Sequence, residues 1–265
     1  MLLSRRPVLL LIVVLPAFAQ LPRIAFTGSV QSDRGVFHGD VTVPFPIQPI
    51  PLMVNAPYSG HEETRSSQVL ADGTHIARPA HTDQKVWRDS QGRLRIEKSF
   101  VSGPTPVKNA PTLVEIEDPV AGYIYIMDDI TKVAHRIKAS VAQQKNLEEL
   151  IARGPVGRAG RGPMDSMEDL GTRTTAGVLV HGTRRTLVTP AGARGNSGTI
   201  TATRDYWYSP DLNMIIQTVS NNPGANSIEG VADLTRDEPD PSLFLVPADY
   251  TLVDENATFE IKWGK

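Results

Sequence analysis

Short β-prone runs broken by turn residues recur along most of this chain, and that punctuation leaves room for little except a mainly antiparallel β fold. Asp72-Gly73 stands between the runs 64–70 and 75–78, the second continuing towards Val86-Trp87. Asp-Gly is the strongest short hairpin signal, because it supplies the positive φ that a tight turn between twisted strands needs. Asp89-Ser90-Gln91-Gly92 reads as a second turn. After it, Leu94, Ile96 and Lys98 alternate with Arg93, Arg95 and Glu97, the period of a half-buried strand. Leu113-Val114-Glu115-Ile116, a turn at 118–122, the strand Tyr123-Ile124-Tyr125-Ile126-Met127 and a turn at 128–132 continue the pattern. Beyond residue 175, strands are expected at 176–183 and 184–189, framing a turn, and again at 198–208, 214–219 and 228–234. Residues 133–138 fit either period. One stretch, 141–153, reads as a helix: Val141, Leu147, Leu150 and Ile151 share a face, and Gly154-Pro155 ends it. The expected fold is therefore a curved antiparallel sheet or incomplete β-barrel with one helix.

The N-terminus reads as an address. Arg5 and Arg6 form a basic region, an apolar run follows, and Ala17-Phe18-Ala19 is a small-x-small cleavage site. Cleavage is expected between Ala19 and Gln20, placing the protein in the periplasm or outside the cell. The apolar run is shorter than the roughly 20 residues that span a bilayer. No later stretch is apolar enough, so no integral membrane segment is expected after cleavage. Ser4-Arg5-Arg6 looks like the start of a twin-arginine signal, but Val8 stands where a phenylalanine is usual. Gln20 replaces the cysteine a lipid anchor would require.

Cysteine is absent, although an exported protein is free to form disulfides. The domain must hold itself by core burial, and thiol catalysis, thiolate zinc sites and iron–sulfur clusters are excluded. The signal carries two of the 27 basic residues and none of the 29 acidic ones. Its removal moves the net charge from −2 to about −4, which gives no electrostatic case for nucleic acid. The organisation expected is a signal at 1–19, a proline-rich arm at 20–56 and a single β-rich domain at 57–265. The arm contains Val43-Pro44-Phe45-Pro46-Ile47-Gln48-Pro49-Ile50-Pro51, and proline removes the donors a central strand needs. A flexible basic loop rich in glycine and arginine is expected at 153–163.

Motifs that could carry chemistry are sparse. Six histidines, His38, His61, His75, His81, His135 and His181, invite a metal reading. His61-Glu62-Glu63 starts like a zincin helix, yet Arg65 stands where the second histidine belongs. His75 and His81 are six apart on expected strands, but two ligands do not close a site. Gly195-Asn196-Ser197-Gly198 is similar to the nucleophile loop of chymotrypsin-like proteases, and His75 and Asp118 stand in the right chain order for a triad. The simpler reading is a loop joining two strands. Asp128-Asp129 and Glu148-Glu149 read as turn and helix-surface residues. No residue is assigned a catalytic, cofactor-binding or metal role, and no enzyme activity is expected.

The tail carries the clearest family likeness. Residues 234–250, with Asp237-Glu238-Pro239-Asp240-Pro241 leading to Phe244-Leu245-Val246-Pro247 and Tyr250, resemble the closing segment of periplasmic lipoprotein-carrier-like domains of the LolA/LppX type. Leu170-Gly171-Thr172 through Ala176-Gly177-Val178, and Trp207-Tyr208-Ser209-Pro210-Asp211-Leu212, are similar to the glycine-bearing strand and the Trp-plus-turn element of those domains. The run 55–250 also resembles a family of exported proteins of soil bacteria, of the Acidobacteria type. The carrier likeness implies a curved sheet whose hollow holds acyl chains, with no motif-defined binding residues. The expectation is an exported, non-enzymatic binding domain for a hydrophobic ligand, a lipid or a lipoprotein's acyl chain. The alternative is an envelope protein-interaction or sensor module working through the proline-rich arm or a strand edge. A hydrolase built on Ser197 or the histidines is the third reading.

Overall fold

The computed structural model describes residues 27–33, 36–70, 72–99, 111–143 and 164–263. The expected signal and its cleavage point, most of the expected helix, Glu148-Glu149 and the Gly/Arg loop at 153–163 lie outside the described residues.

Two meanders make one continuous sheet. The first runs β4 (Tyr58–Val69), β5 (His75–Arg88), β6 (Leu94–Ser99), β7 (Thr112–Asp118), β8 (Tyr123–Asp128) and β9 (Val133–Lys138). The second runs β11 (Met164–Thr175), β12 (Val178–Thr189), β13 (Ile200–Ser209), β14 (Met214–Asn222) and β15 (Ala225–Thr235). Each strand pairs antiparallel with the next, and β15 pairs antiparallel with β4, sealing the two meanders. A last strand, β16 (Thr251–Glu255), lies parallel to β9, giving twelve strands with β11 and β16 at the edges. The Asp-Gly turn forms as expected: the Leu70 amide donates to the Thr74 carbonyl at 2.8 Å, the Thr74 amide donates to the Asp72 carboxylate, and Gly73 has φ +83°.

From β5 to β9 the register runs without a slip, so alternation sorts the side chains cleanly. One face carries Val86, Arg88, Leu94, Ile96, Leu113, Glu115, Glu117, Ile124, Ile126 and Asp128. The other carries Trp87, Arg95, Val114, Ile116, Tyr125 and Met127. The second face is covered by the tail. A 3-10 turn at Pro241–Phe244, capped by the Asp240 carboxylate on the Ser242 amide, seats Phe244 against Val114, Ile116, Met127 and Ala134, with Val246 and Tyr250 beside it. Arg95 holds the turn by donating to the Leu243 carbonyl at 2.8 Å. On the first face, Val41 and Val43 of β2 (Val36–Val43) and Ile261 and Trp263 of β17 (Phe259–Trp263) pack on Leu113, Ile124, Ile126 and Ile137. These strands form a separate three-stranded sheet in the order β1 (Thr27–Asp33), β2, β17. The Trp263 indole donates to the buried Asp128 carboxylate at 2.8 Å, pinning one layer to the other.

The large sheet curls. Arg88 on β5 donates through Nη2 to the Leu212 carbonyl at 3.0 Å, in the turn between β13 and β14. β5 and β14 are three places apart in the sheet. Flat, they would stand roughly 14 Å apart at normal strand spacing, beyond the reach of one side chain. The curl brings Tyr58, Val86, Leu94 and Ile96 from one meander into a single buried cluster with Val178, Val180, Trp207, Met214 and Ile216 of the other.

Two local expectations are corrected. Residues 141–143 do not begin a helix. They form β10 (Val141–Gln143), which lies parallel to β3 (Ile50–Leu52), fixed by the Ile50 amide donating to the Ser140 carbonyl at 2.8 Å. The backbone satisfaction β3 offers outweighs the helical period of the apolar positions. Residues 176–189 do not form two strands around a turn. Val178–Thr189 is one strand, unbroken at Gly182, because Gly182 lies directly across from Trp207 and an added Cβ would meet the indole at 2.5 Å. That glycine makes room for a ring and does not mark a turn.

Candidate functional site

The inner face of the curled sheet is where polar chemistry is concentrated below the surface. Alternation along β4, β5 and β7 places Tyr58, Glu62, Gln84, Arg88, Glu115 and Glu117 on it. Tyr58 is fully buried, and Gln84, Arg88, Glu115 and Glu117 retain at most 4% of their surface. Burying charge in this way is costly unless it is compensated. Arg88 has its compensation: Nε donates to the Ala56 carbonyl at 2.8 Å, Nη2 to Leu212, and the guanidinium lies 4.8 Å from the centre of the Tyr58 ring. Burial lowers its pKa from the usual guanidinium range. Burial also pushes the Tyr58 phenol well above the ordinary tyrosine range; Arg88 opposes the rise, and Glu62 and Glu117 add to it. The phenol therefore stays neutral.

Four side chains on the strands keep buried polar atoms without a hydrogen-bond partner among the described residues: the Tyr58 hydroxyl, Gln84 Nε2, Ser209 Oγ and Thr218 Oγ1. Thr218 is 3% exposed and pairs with Tyr206, beyond a bulge that leaves Ile216 without a partner on β13. Such atoms forfeit about 1–3 kcal/mol each when left dry. Sequence reasoning missed them, since nothing in the residue types at 58, 84, 209 and 218 separates them from ordinary strand positions. The one legible hint was Glu115 and Glu117, carboxylates at successive inward positions of an apolar strand.

The residues singled out in the sequence do not assemble. His75, exposed, begins β5 at one end of the sheet, while Arg88, Leu94 and Glu117 are in register at the other end, next to Asp118. A strand of that length separates the two by on the order of 40 Å. The Asp118 carboxylate is occupied by the Val120 and Ala121 amides of its own turn, and Ser197 is exposed on the β12–β13 loop. Positions 75 and 81 both lie on β5, where the register against β4 slips between Arg78 and His81. His61 stands 3.5 Å from Asp233, and His135 bonds Glu255 at 2.8 Å while stacking on Phe259. Glu62 and Glu63 follow His61 on a strand, so the three do not share a helical face. His181 pairs in register with Tyr208 on β12, and His38 lies on β2. Among the described residues no three His, Cys, Asp or Glu side chains are grouped to hold a metal ion. Asp128 is a buried turn carboxylate that accepts from the Ile130 and Thr131 amides, and Asp129 accepts from the Thr112 amide.

A cleft of about 400 Å³ opens at the hairpin end of β4, β14 and β15, lined by Ser66, Ser67, Gln68, Asn222 and Asn226 with neighbouring small residues. Its lining is neutral and hydroxyl- or amide-bearing, unlike the acidic inner face. No helix among the described residues is long and apolar enough to cross a membrane.

No family model matches the chain, and no curated protein does. Among solved structures, the chain is similar to the lipoprotein LppX of Mycobacterium tuberculosis, at 12% identity and a TM-score of 0.27, over 70% of this chain and 90% of that one. It is similar to a LolA superfamily protein of Nitrosomonas europaea at 8% identity and a TM-score of 0.26, over 74% and 92%. A DUF1329 family protein of Desulfovibrio piger aligns at 10% identity and a TM-score of 0.19, over 73% and 90%. At such values the likeness adds nothing to what the strands show by themselves.

Proposed function

We propose that this is an exported, non-enzymatic binding domain that takes an amphiphilic ligand, a lipid or a lipoprotein's acyl chain, into the hollow of its curled sheet. The observation that carries the reading is the inner face itself: an apolar cluster from both meanders, beside which the buried Gln84 keeps Nε2 without a partner among the described residues. A surface of that composition suits a molecule with an apolar body and a polar end. The address at residues 1–19 supports a periplasmic or extracellular setting, where such a carrier meets its cargo.

The test is direct. Protein purified from the cell envelope should release lipid on organic extraction, identifiable by mass spectrometry, and should bind a fluorescent long-chain amphiphile displaceably. Protein that yields no lipid and binds no probe would rule the reading out. A second reading, an envelope interaction module, draws on one feature: β11 leaves twelve residues of strand along a sheet edge. Pairing of an extended peptide to that edge would appear as cross-links from β11 to an envelope partner, and no cross-link there would remove it.

A further inference from the structure

The cleft at the hairpin end of β4, β14 and β15 has a volume of about 400 Å³ and no charged residue in its lining. That volume falls within the usual range for small-molecule sites. Ser66 stands directly across from Ser227, and Gln68 from Ala225, which stands in turn across from Asn222. Residues paired across strands share a face, as do residues two apart along one strand. Ser66, Gln68, Asn222, Ala225 and Ser227 therefore sit on one face of three neighbouring strands. Ile76 of β5 stands across from Gln68 on the same face and is 46% exposed.

The chemistry of this lining is two-sided. Serine hydroxyls and carboxamides each offer a donor and an acceptor. The side chains of Ser66, Gln68 and Asn222 make no hydrogen bond to the described residues, so both functions are open to a ligand. Ser227 gives its hydroxyl to Glu229 at 3.4 Å. On the other side Arg204 donates to Ser220, which stands across from Ser227, at 3.1 Å. Glu229 and Arg204 thus flank the cleft with opposite signs. An anion only accepts hydrogen bonds and a cation only donates them, so either would leave half of each carboxamide unused. A sugar hydroxyl does both. Ile76 and Ala225 add an apolar surface suited to the C–H face of a sugar ring.

We propose that this cleft is a binding site for an uncharged oligosaccharide, with ring hydroxyls held by Ser66, Gln68 and Asn222. The site is separate from the apolar cluster and does not depend on the amphiphile-binding reading.

The experiment uses the full mature protein and saturation-transfer NMR, which detects weak binding. The probes are a panel of neutral oligosaccharides (malto-, cello-, xylo- and chito-oligosaccharides) and a panel of uronate-containing ones. At least one neutral probe should bind, and the uronates should bind more weakly. Gln68→Ala and Asn222→Ala should each weaken the neutral probe about tenfold, the scale of one hydrogen bond. Both should melt like the wild type, because these side chains hold nothing in the fold, and both should bind a fluorescent long-chain amphiphile as the wild type does. No neutral probe bound, tighter binding of a uronate, or affinity untouched in both variants overturns the site. Those results leave the amphiphile reading standing, since that reading fails on a different measurement, the absence of lipid and of amphiphile binding.

Discussion

Phe244 shows how much one side chain does in this fold. With Pro239 it is one of two buried residues in a tail that is otherwise largely exposed, and Leu245 next to it is 58% exposed. It fills the outer face of β7 to β9, and Arg93 lies 5.0 Å from the centre of its ring. Truncating a buried Phe to Ala typically costs about 3–5 kcal/mol, from lost transfer energy and the cavity left behind. A domain of this kind has about 5–15 kcal/mol in all. Phe244→Ala should therefore lower the melting temperature clearly in a thermal scan. A variant melting like the wild type would mean that the tail contributes nothing to the fold. Tail docking was legible in the sequence, since an aromatic beside a proline stop is an anchor wherever it lands. The partner surface was not, because Val114, Ile116 and Met127 come from two other strands that only register brings together.

At the scale of elements, the two edges of the large sheet are managed differently. β16 is short, and the bidentate pair between Arg136 and Asp254, at 2.6 and 2.9 Å, ties it to β9. The hydrogen bond from Arg136 holds the Asp254 carboxyl below its ordinary range. A carboxylate with a depressed pKa adds stability above the unfolded-state value, and that stability is lost as pH falls through the folded-state value. Asp254 is exposed, so the effect is small. Asp254→Asn should melt slightly below the wild type at pH 7, and the gap should close as the pH drops below the usual carboxylate range. A gap that persists in acid would assign the loss to something other than the ion pair. The long edge, β11, is guarded by charge and by shape. Glu168 and Asp169 are exposed on it, and Asp169 accepts from the Gly171 amide across a bulge where Gly171 has φ +71°. Charges and bulges discourage edge-to-edge pairing. The double variant Glu168→Val with Gly171→Val should flatten and neutralise the edge, and gel filtration should show concentration-dependent self-association. A strictly monomeric variant would show that the edge is protected by other means.

At the scale of the whole molecule, the seam between β15 and β4 decides whether the two meanders unfold together. Nine residue pairs are in register across it, and the inner cluster draws on both sides. Unfolding should be one cooperative transition. Single-tryptophan variants retaining either Trp87 in the first meander or Trp207 in the second should give coincident denaturant midpoints, once each is corrected for its own change in stability. Two separate transitions would mean that each meander folds as its own unit.

What the chain settled by itself is local. The period of two, the Asp-Gly and glycine-bearing turns and the β-branched runs depend on backbone dihedrals within a few residues, so most strands of both meanders were readable in place and order, except β11, β9, which fitted either period, and β12, which was read as two. Tertiary structure decided the rest. The helical period at 141–153 was equally compatible with a short strand at 141–143, and β3, some ninety residues earlier, resolved it by offering hydrogen bonds. Gly182 read as a turn until the Trp207 ring across from it supplied another reason for a residue without a side chain. The inner face was invisible for the same cause: Tyr58, Val86, Trp207 and Ile216 become a common interior only when the seam and the curl bring β4, β5, β13 and β14 together, and no spacing along a chain encodes a contact made by closure of a sheet.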